Sequence, residues 1–336
     1  MNGLPRAKGR QATVCTRVFW NDNGKALVVG RTMDWPESTE PIWTIFPRGA
    51  KRNGGMLAGH SLGLENPLKW TAKYGSLIVS VYGLGTVDGL NEKGLAAHML
   101  FLPETDFGPV DSSKPAVHAG LWAQYLLDRA STVGEALALQ DDIQLVMVEA
   151  RGRQATVHLA LEDANGDSAI VEYVDGKQTV HQGSEYQVMT NSPAYDEQLA
   201  LLAQQDFSKP SSDMPLPGNV NPRDRFQRAT YFLSMLPEPA SEREAIASVL
   251  SVVRNTSVPF GAPYKDVGIY NTEYRTVLDL SNKRSFFELS TSPNVLWADL
   301  NQIDFTKGSG VRTLDPDNLD LSGNITDRFT PAEVAF

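Results

Sequence analysis

Apolar and polar positions alternate with the two-residue period of half-buried strands through much of the first hundred residues. Residues 15–20 (Cys-Thr-Arg-Val-Phe-Trp) and 25–30 are strand-like runs on either side of Asn21-Asp-Asn-Gly24, whose residue types suit a tight hairpin turn. Residues 74–82 and 94–102 form a second strand pair, flanking a polar, glycine-containing turn around residues 88–93. The period then lengthens. Residues 117–130 place Leu121, Tyr125 and Leu126 on a helical stripe, and Thr132 with Glu135 has the spacing of a capping box for a following helix. Residues 155–160, 168–174 and 178–181, joined by Ala164-Asn-Gly-Asp167 and Asp175-Gly176, predict an antiparallel meander that residues 186–190 extend. Ser192-Pro193 reads as an N-cap followed by proline in the first helical position, opening a helix to about Gln205. A Pro/Ser/Gly-rich loop covers 209–221, and residues 225–236 and the Ser241/Glu244 capping box start two more helices. Strands at 275–280, 285–290 and 295–300 complete the pattern. This order predicts an α+β fold of antiparallel sheets layered with helices.

Composition narrows the function classes. A chain of 336 residues with 41% hydrophobic residues and 6 Trp is that of a globular protein, compatible with one large domain. No window approaches the roughly 18 uninterrupted apolar residues of a membrane span. The net charge of −10 argues against nucleic-acid binding, which needs a basic face. The single cysteine excludes an internal disulfide and any multi-cysteine metal site. The five histidines show no ligand spacing such as His-Glu-x-x-His, so no metal is expected. Residues 1–14 carry Arg6, Lys8 and Arg10 but no apolar core, unlike a secretory signal. As it stands the chain is expected in the cytoplasm, or in the periplasm if a natural leader has been replaced.

Cys15 is the most informative residue. A free cysteine is usually a small buried hydrophobe. A cysteine that becomes N-terminal after cleavage is instead a nucleophile whose own α-amine serves as base. Its neighbours favour the second reading. Gly30-Arg-Thr-Met-Asp-Trp35 ends the strand expected to pair with the Cys15 strand, so Arg31 and Asp34 fall near the sulfur. A cation there lowers the thiol pKa, and a carboxylate can hold the α-nitrogen. Asn191, between a strand and a helix, offers an amide for an oxyanion, although an asparagine before Ser-Pro also suits an ordinary turn. Arg225 and Arg228 share one helix face and either support the site or face solvent. The glycines of residues 82–89 do not match a dinucleotide fingerprint.

Together these blocks resemble the choloylglycine hydrolase and penicillin V acylase family of N-terminal-nucleophile (Ntn) hydrolases. The likeness runs from Cys15 to about Leu300, through Cys15-Thr-Arg, Gly30-Arg-Thr-Met-Asp-Trp35, Asn91-Glu-Lys-Gly-Leu95, Thr190-Asn-Ser-Pro193 and Asp224-Arg-Phe-Gln-Arg228. Residues 70–76, 122–128 and 166–173 are similar to the Gram-negative penicillin V acylase branch. The resemblance implies a four-layer αββα sandwich in a single domain, residues 15–336, after removal of residues 1–14. It makes Cys15 the nucleophile, Arg31 and Asp34 its positioning groups, Asn191 an oxyanion donor and Arg225 a supporting cation. Met33, Trp35, Tyr82 and Phe101 line the acyl pocket. Phe101 stands where that branch carries Trp and bile-salt enzymes carry Asn. The implied reaction is hydrolysis of an acyl amide, penicillin V or an N-acyl-homoserine lactone, with no cofactor and with self-association, as a homotetramer, by resemblance alone. A conjugated bile salt is the alternative substrate. A silent protein that binds an acylated ligand while residues 1–14 block the amine is the alternative of another class.

Overall fold

The computed structural model describes residues 14–264 and 268–336. The expectation that residues 1–14 are removed falls, apart from Val14, outside that range. The chain runs through β1 (Val14–Trp20), β2 (Val28–Trp35), β3 (Ile42–Phe46), β4 (Ser76–Val81), β5 (Gly85–Asn91) and β6 (Ala96–Phe101) before α1 (Trp122–Arg129) and α2 (Val133–Gln140). The meander follows as β7 (Val157–Glu162), β8 (Ser168–Val174) and β9 (Lys177–Gln182), then the short β10 (Val188–Met189) and helices α3 (Tyr195–Leu202), α4 (Pro222–Ser234) and α5 (Glu242–Asn255). The last strands are β11 (Gly268–Asp279), β12 (Arg284–Leu289), β13 (Val295–Asp299), β14 (Arg312–Leu314), β15 (Gly323–Asn324) and β16 (Thr330–Pro331).

Two sheets organise these strands. The first has the order β10-β1-β2-β11-β12-β13-β15, and the second β9-β8-β7-β6-β5-β4-β3-β14-β16. Pairing is antiparallel except between β13 and β15, which run parallel. Helices α4 and α5 pack on β1 and β2, and α1 packs on β5 and β6. Gly30 permits the first of these contacts, since a Cβ there would stand 2.7 Å from a Val249 methyl and 3.0 Å from one of Val253. One buried cluster joins the sheets through Val29, Tyr274, Ile45, Leu77 and Leu90. A second joins Ala97, Met99 and Leu159 to Trp122 and Leu126 of α1. The result is helix, sheet, sheet, helix, the layering expected from the sequence.

Several local expectations are corrected. Residues 88–91 are not a turn but part of β5. One tight turn precedes them at Tyr82-Gly83, both at positive φ (55° and 64°), with the Leu84 N–H donating to the Val81 carbonyl at 3.0 Å, as in the primed hairpin turns; the expected turn itself is confined to residues 92–94, where the Gly94 N–H donates to the Asn91 carbonyl at 3.0 Å. Polar Asp88 and Asn91 tolerate a strand because they are satisfied inside. Asn91 Nδ2 donates to the Leu127 and Ala130 carbonyls at 2.9 and 2.8 Å. Residues 186–190 do not extend the meander. Only Val188–Met189 is a strand, and it pairs with β1 in the other sheet. Helix α1 begins at Trp122, because Ala116–His118 is a strand paired in parallel with Gln144–Val146. Helix α3 begins at Tyr195 rather than at Pro193. Ser192 Oγ turns to the Glu104 carboxylate, and Glu172 from β8 accepts the Tyr195 N–H at 2.9 Å, supplying the cap from outside the helix. The expected caps of α2 and α5 are present: Thr132 and Ser241 accept from the backbone N–H groups of Glu135 and Glu244.

Candidate active site

Strand β1 lies inside the first sheet, with β10 on one side and β2 on the other. Cys15 stands opposite Met33, and Arg17 opposite Arg31. Side chains alternate along a strand, so Cys15, Arg17, Arg31 and Met33 face the second sheet, whereas Thr16 and Thr32 face the helices. Cys15 is 2% exposed, its Sγ 3.9 Å from Met33 Sδ. Arg31 lies beside both sulfurs, with Nη2 3.8 Å from Met33 Sδ and 3.4 Å from the Met99 carbonyl oxygen. Burial pushes the Cys15 thiol pKa up; Arg31 opposes it most strongly, Asp34 adds to it, and Arg225 opposes it.

The backbone nitrogen of Cys15 is held separately from its sulfur. It donates to Asn191 Oδ1 at 2.5 Å. Arg225 donates from Nη2 to the same oxygen at 3.0 Å and from Nη1 to the Cys15 carbonyl at 2.6 Å, and it also bonds the Thr16 hydroxyl. Its Nη1 is 3.8 Å from Asp34 Oδ2. Asp34 accepts from the hydroxyls of Thr272 and Thr32. One extra residue on β11, Glu273, brings Thr272 opposite Asp34, a bulge that re-aims a side chain. Burial raises the Asp34 pKa, opposed by Arg225 and by the two hydroxyls. Asn191 Nδ2 donates to the Phe101 carbonyl at 2.7 Å.

From the sulfur an apolar cleft of about 880 Å³, part of it open to solvent, extends between the sheets to the small hairpin in which Glu149–Ala150 pairs with Arg153–Gln154. Met33, Trp35, Tyr82 and Phe101 all line it. The Trp35 and Phe101 rings meet edge to face with centroids 6.2 Å apart. Tyr82 lies beneath the Arg151 guanidinium at 4.2 Å and donates to Glu37 at 3.2 Å. The structure therefore brings all nine residues singled out from the sequence to one place. Arg228, the other arginine on the α4 face, turns away to the carbonyls of Pro217 and Asn219.

Sequence reading missed the groups that hold these residues. His158 on β7 bridges Glu172 (Nδ1 to Oε1, 2.7 Å) and the Thr190 carbonyl (Nε2, 2.9 Å), while Gln198 donates to the Asn191 carbonyl at 3.1 Å. A histidine among apolar strand positions is the available signal, although its spacing speaks only against a metal site. The outer cleft wall, including Arg153 with its guanidinium 5.3 Å from the Trp35 ring, had no signal, since hairpin residues reach the cleft only through tertiary packing. Among the described residues no cluster of His, Cys, Asp and Glu could hold a metal ion, and no helix is long and apolar enough to cross a membrane.

A thiol at the end of an acyl-sized cleft, with its own backbone nitrogen held by an amide and its carbonyl by an arginine, is the layout of an enzyme that attacks acyl carbonyls. The chain belongs to the choloylglycine hydrolase family of linear amide C–N hydrolases, whose family model matches residues 15–327. It is similar to a penicillin V acylase of Pectobacterium atrosepticum, at 39% identity over 95% of this chain and 90% of that protein. Among solved structures it is similar to penicillin V acylase from Agrobacterium tumefaciens, with TM-score 0.84 and 40% identity over 95% of this chain and 98% of that one. A variant of conjugated bile acid hydrolase from Clostridium perfringens shares the fold, with TM-score 0.77 and 20% identity over 92% and 98% of the two chains. The protein is thus a penicillin V acylase-like amidohydrolase.

Proposed function

We propose that the protein hydrolyses the amide between an apolar acyl chain and a small amine, with penicillin V and N-acyl-homoserine lactones as the substrate classes. The observation that carries this reading is the cleft: aromatic and aliphatic side chains line it from the sulfur outward, a surface suited to an aryl or alkyl acyl group. Conjugated bile salts are the second enzymatic reading. It is disfavoured by Phe101 and Trp35, two rings in edge-to-face contact that line the same cleft as Cys15.

The reaction begins once the Val14–Cys15 bond is cut and Cys15 is N-terminal. The freed α-amine, held by Asn191 Oδ1, takes the thiol proton, and the thiolate attacks the acyl carbonyl. Asn191 Nδ2 carries two hydrogens, one of which bonds the Phe101 carbonyl; the other is free to meet the oxyanion, together with a backbone N–H, for which Phe101 is our choice. Collapse of the tetrahedral species expels the amine, which takes a proton from the Cys15 ammonium. Water then attacks the thioester and releases the carboxylic acid and the thiol. Arg31 stabilises the thiolate, and Arg225 with Asp34 fixes the Cys15 backbone. No cofactor enters the scheme.

The test is a set of parallel incubations in which 6-aminopenicillanic acid, homoserine lactone or glycine and taurine are quantified, with intact mass recording the N-terminus. Release from penicillin V or the lactone by protein that starts at Cys15, lost in a folded Cys15→Ala variant, is expected. Turnover by protein that still carries residues 1–14, or unchanged turnover by Cys15→Ala, would refute the assignment. Processed protein that turns over neither substrate would sink the substrate assignment.

A further inference from the structure

Two residues into the sheets from the sulfur lies a buried ionic chain of which the scheme above uses only Arg31. Arg17 and Arg31 stand directly opposite each other on adjacent strands, both completely buried. Like charges so placed repel, and a buried charge must be compensated. The compensation comes from the second sheet. Arg17 pairs with Glu162 on β7 and donates to Ser168 Oγ at 2.8 Å. Asp88 on β5 lies in the field of Arg31 and accepts from the Thr276 hydroxyl. Between the two carboxylates stands His98 on β6, its Nδ1 against Asp88 Oδ1 and its Nε2 3.2 Å from Glu162 Oε2. All five side chains are at most 1% exposed.

The formal charges decide what this chain can do. With His98 as an imidazolium, Arg17, Arg31 and His98 face only Asp88 and Glu162, leaving one positive charge in excess. With a neutral imidazole the chain is already balanced, and a Cys15 thiolate would have only the α-ammonium of Cys15 itself as counterion, the Arg31 charge being spent on Asp88. The other charged groups at the sulfur, Asp34 and Arg225, oppose each other, and Tyr274 beside Arg31 is kept neutral by burial. Burial works against the His98 charge, but Asp88 and Glu162 more than offset it and lift its pKa to about 9.

We propose that His98 is a positioning residue for the hydrolysis: an imidazolium sealed between Asp88 and Glu162, it occupies the carboxylate that would otherwise neutralise Arg31 and so leaves the Arg31 charge to the Cys15 thiolate. The proposal rests on Cys15 as the nucleophile but not on any particular substrate.

The test reads the thiol directly. The rate of Cys15 alkylation by iodoacetamide is followed against pH in the processed enzyme, with circular dichroism and urea midpoints recording the fold. His98→Gln removes one positive charge and should raise the alkylation midpoint by about one pH unit, a roughly tenfold loss of thiolate below it. Glu162→Gln removes one negative charge and should lower it. The double variant His98→Gln/Glu162→Gln restores the balance and should return the midpoint towards the parent value. With a substrate that turns over, His98→Gln should lower kcat with KM little changed. A merely structural histidine gives lost stability without these opposed shifts. A folded His98→Gln variant with an unmoved midpoint overturns the proposal. So does a double variant that stays with His98→Gln, or, should His98→Gln not fold, a Glu162→Gln midpoint that does not fall.

Discussion

Replacing Asn191 separates two jobs that its side chain does at once. Oδ1 receives the Cys15 N–H and Arg225, and Nδ2 donates to the Phe101 carbonyl. Asn191→Asp keeps an oxygen for Cys15 and Arg225 but turns the donor into a carboxylate oxygen facing a carbonyl 2.7 Å away. The nitrogen stays held while the oxyanion loses a donor and gains a like charge. Loss of one such donor costs about 10²–10³ in kcat, or roughly 2.7–4 kcal/mol of transition-state stabilisation. The ground state loses a buried hydrogen bond, for a stability loss of about 1–3 kcal/mol. Asn191→Ala also frees the Cys15 nitrogen and should fall further. The assay is release of 6-aminopenicillanic acid from penicillin V, with kcat and KM separated, intact mass to show processing and urea unfolding to show the fold. The expected result is processed, folded Asn191→Asp protein with kcat down about 100-fold or more and KM changed only a few-fold. A processed variant within tenfold of the parent kcat would remove Asn191 from the oxyanion site.

Three further outcomes follow from the same geometry. Trp35→Ala should raise KM for phenoxyacetyl substrates by roughly tenfold with kcat nearly unchanged, since an aromatic edge contact is worth about 0.5–1.5 kcal/mol beyond its area; a kcat loss at constant KM would contradict a binding role. The His98 pKa is raised in the folded state to about 9, so its contribution to stability is complete below the unfolded value of ~6.5 and disappears as pH rises through about 9. Urea midpoints should therefore fall more steeply from about pH 7 to 9.5 in the parent than in His98→Gln, and parallel slopes would contradict this. Gly30→Ala forces a methyl to 2.7 Å from Val249 and should destabilise by about 1–3 kcal/mol, a loss that thermal unfolding detects and that a wild-type melting curve would disprove.

The sequence showed most clearly what local periodicity encodes. The β1–β2 hairpin put Arg31 and Asp34 near Cys15 because two antiparallel strands and a short connection leave few registers. The capping boxes of α2 and α5 were legible because both partners lie within one turn. Misread segments were those whose polar groups are satisfied from afar. Asp88 and Asn91 read as a turn, yet Thr276 and the carbonyls of Leu127 and Ala130 at the end of α1 let them lie in a strand. Ser192 read as a cap because nothing local shows that Glu172 supplies it. Asn191 and Arg225 stand out locally as an amide between strand and helix and a helix-face cation, but their place beside Cys15, 176 and 210 residues away, comes from the family resemblance, because no periodicity spans that distance. The histidines were dismissed for lacking metal spacing, although His98 and His158 each bridge acidic or carbonyl partners across strands.

The two sheets contribute unequally around the cleft. Cys15, Arg31 and Asp34 belong to the first sheet, and Arg225 to a helix packed on it. Much of the far wall, including Tyr82, Met99 and Phe101, belongs to the second sheet or its connecting turn, and Arg153 to the small hairpin paired with Glu149–Ala150. Side-chain changes confined to the cleft-lining positions of that wall alter the cleft while leaving Asp88, His98 and Glu162 in place beneath Arg31. Directed evolution towards new acyl chains therefore has a defined territory, the cleft-lining positions opposite Cys15, where libraries can vary while the bond-breaking apparatus stays constant.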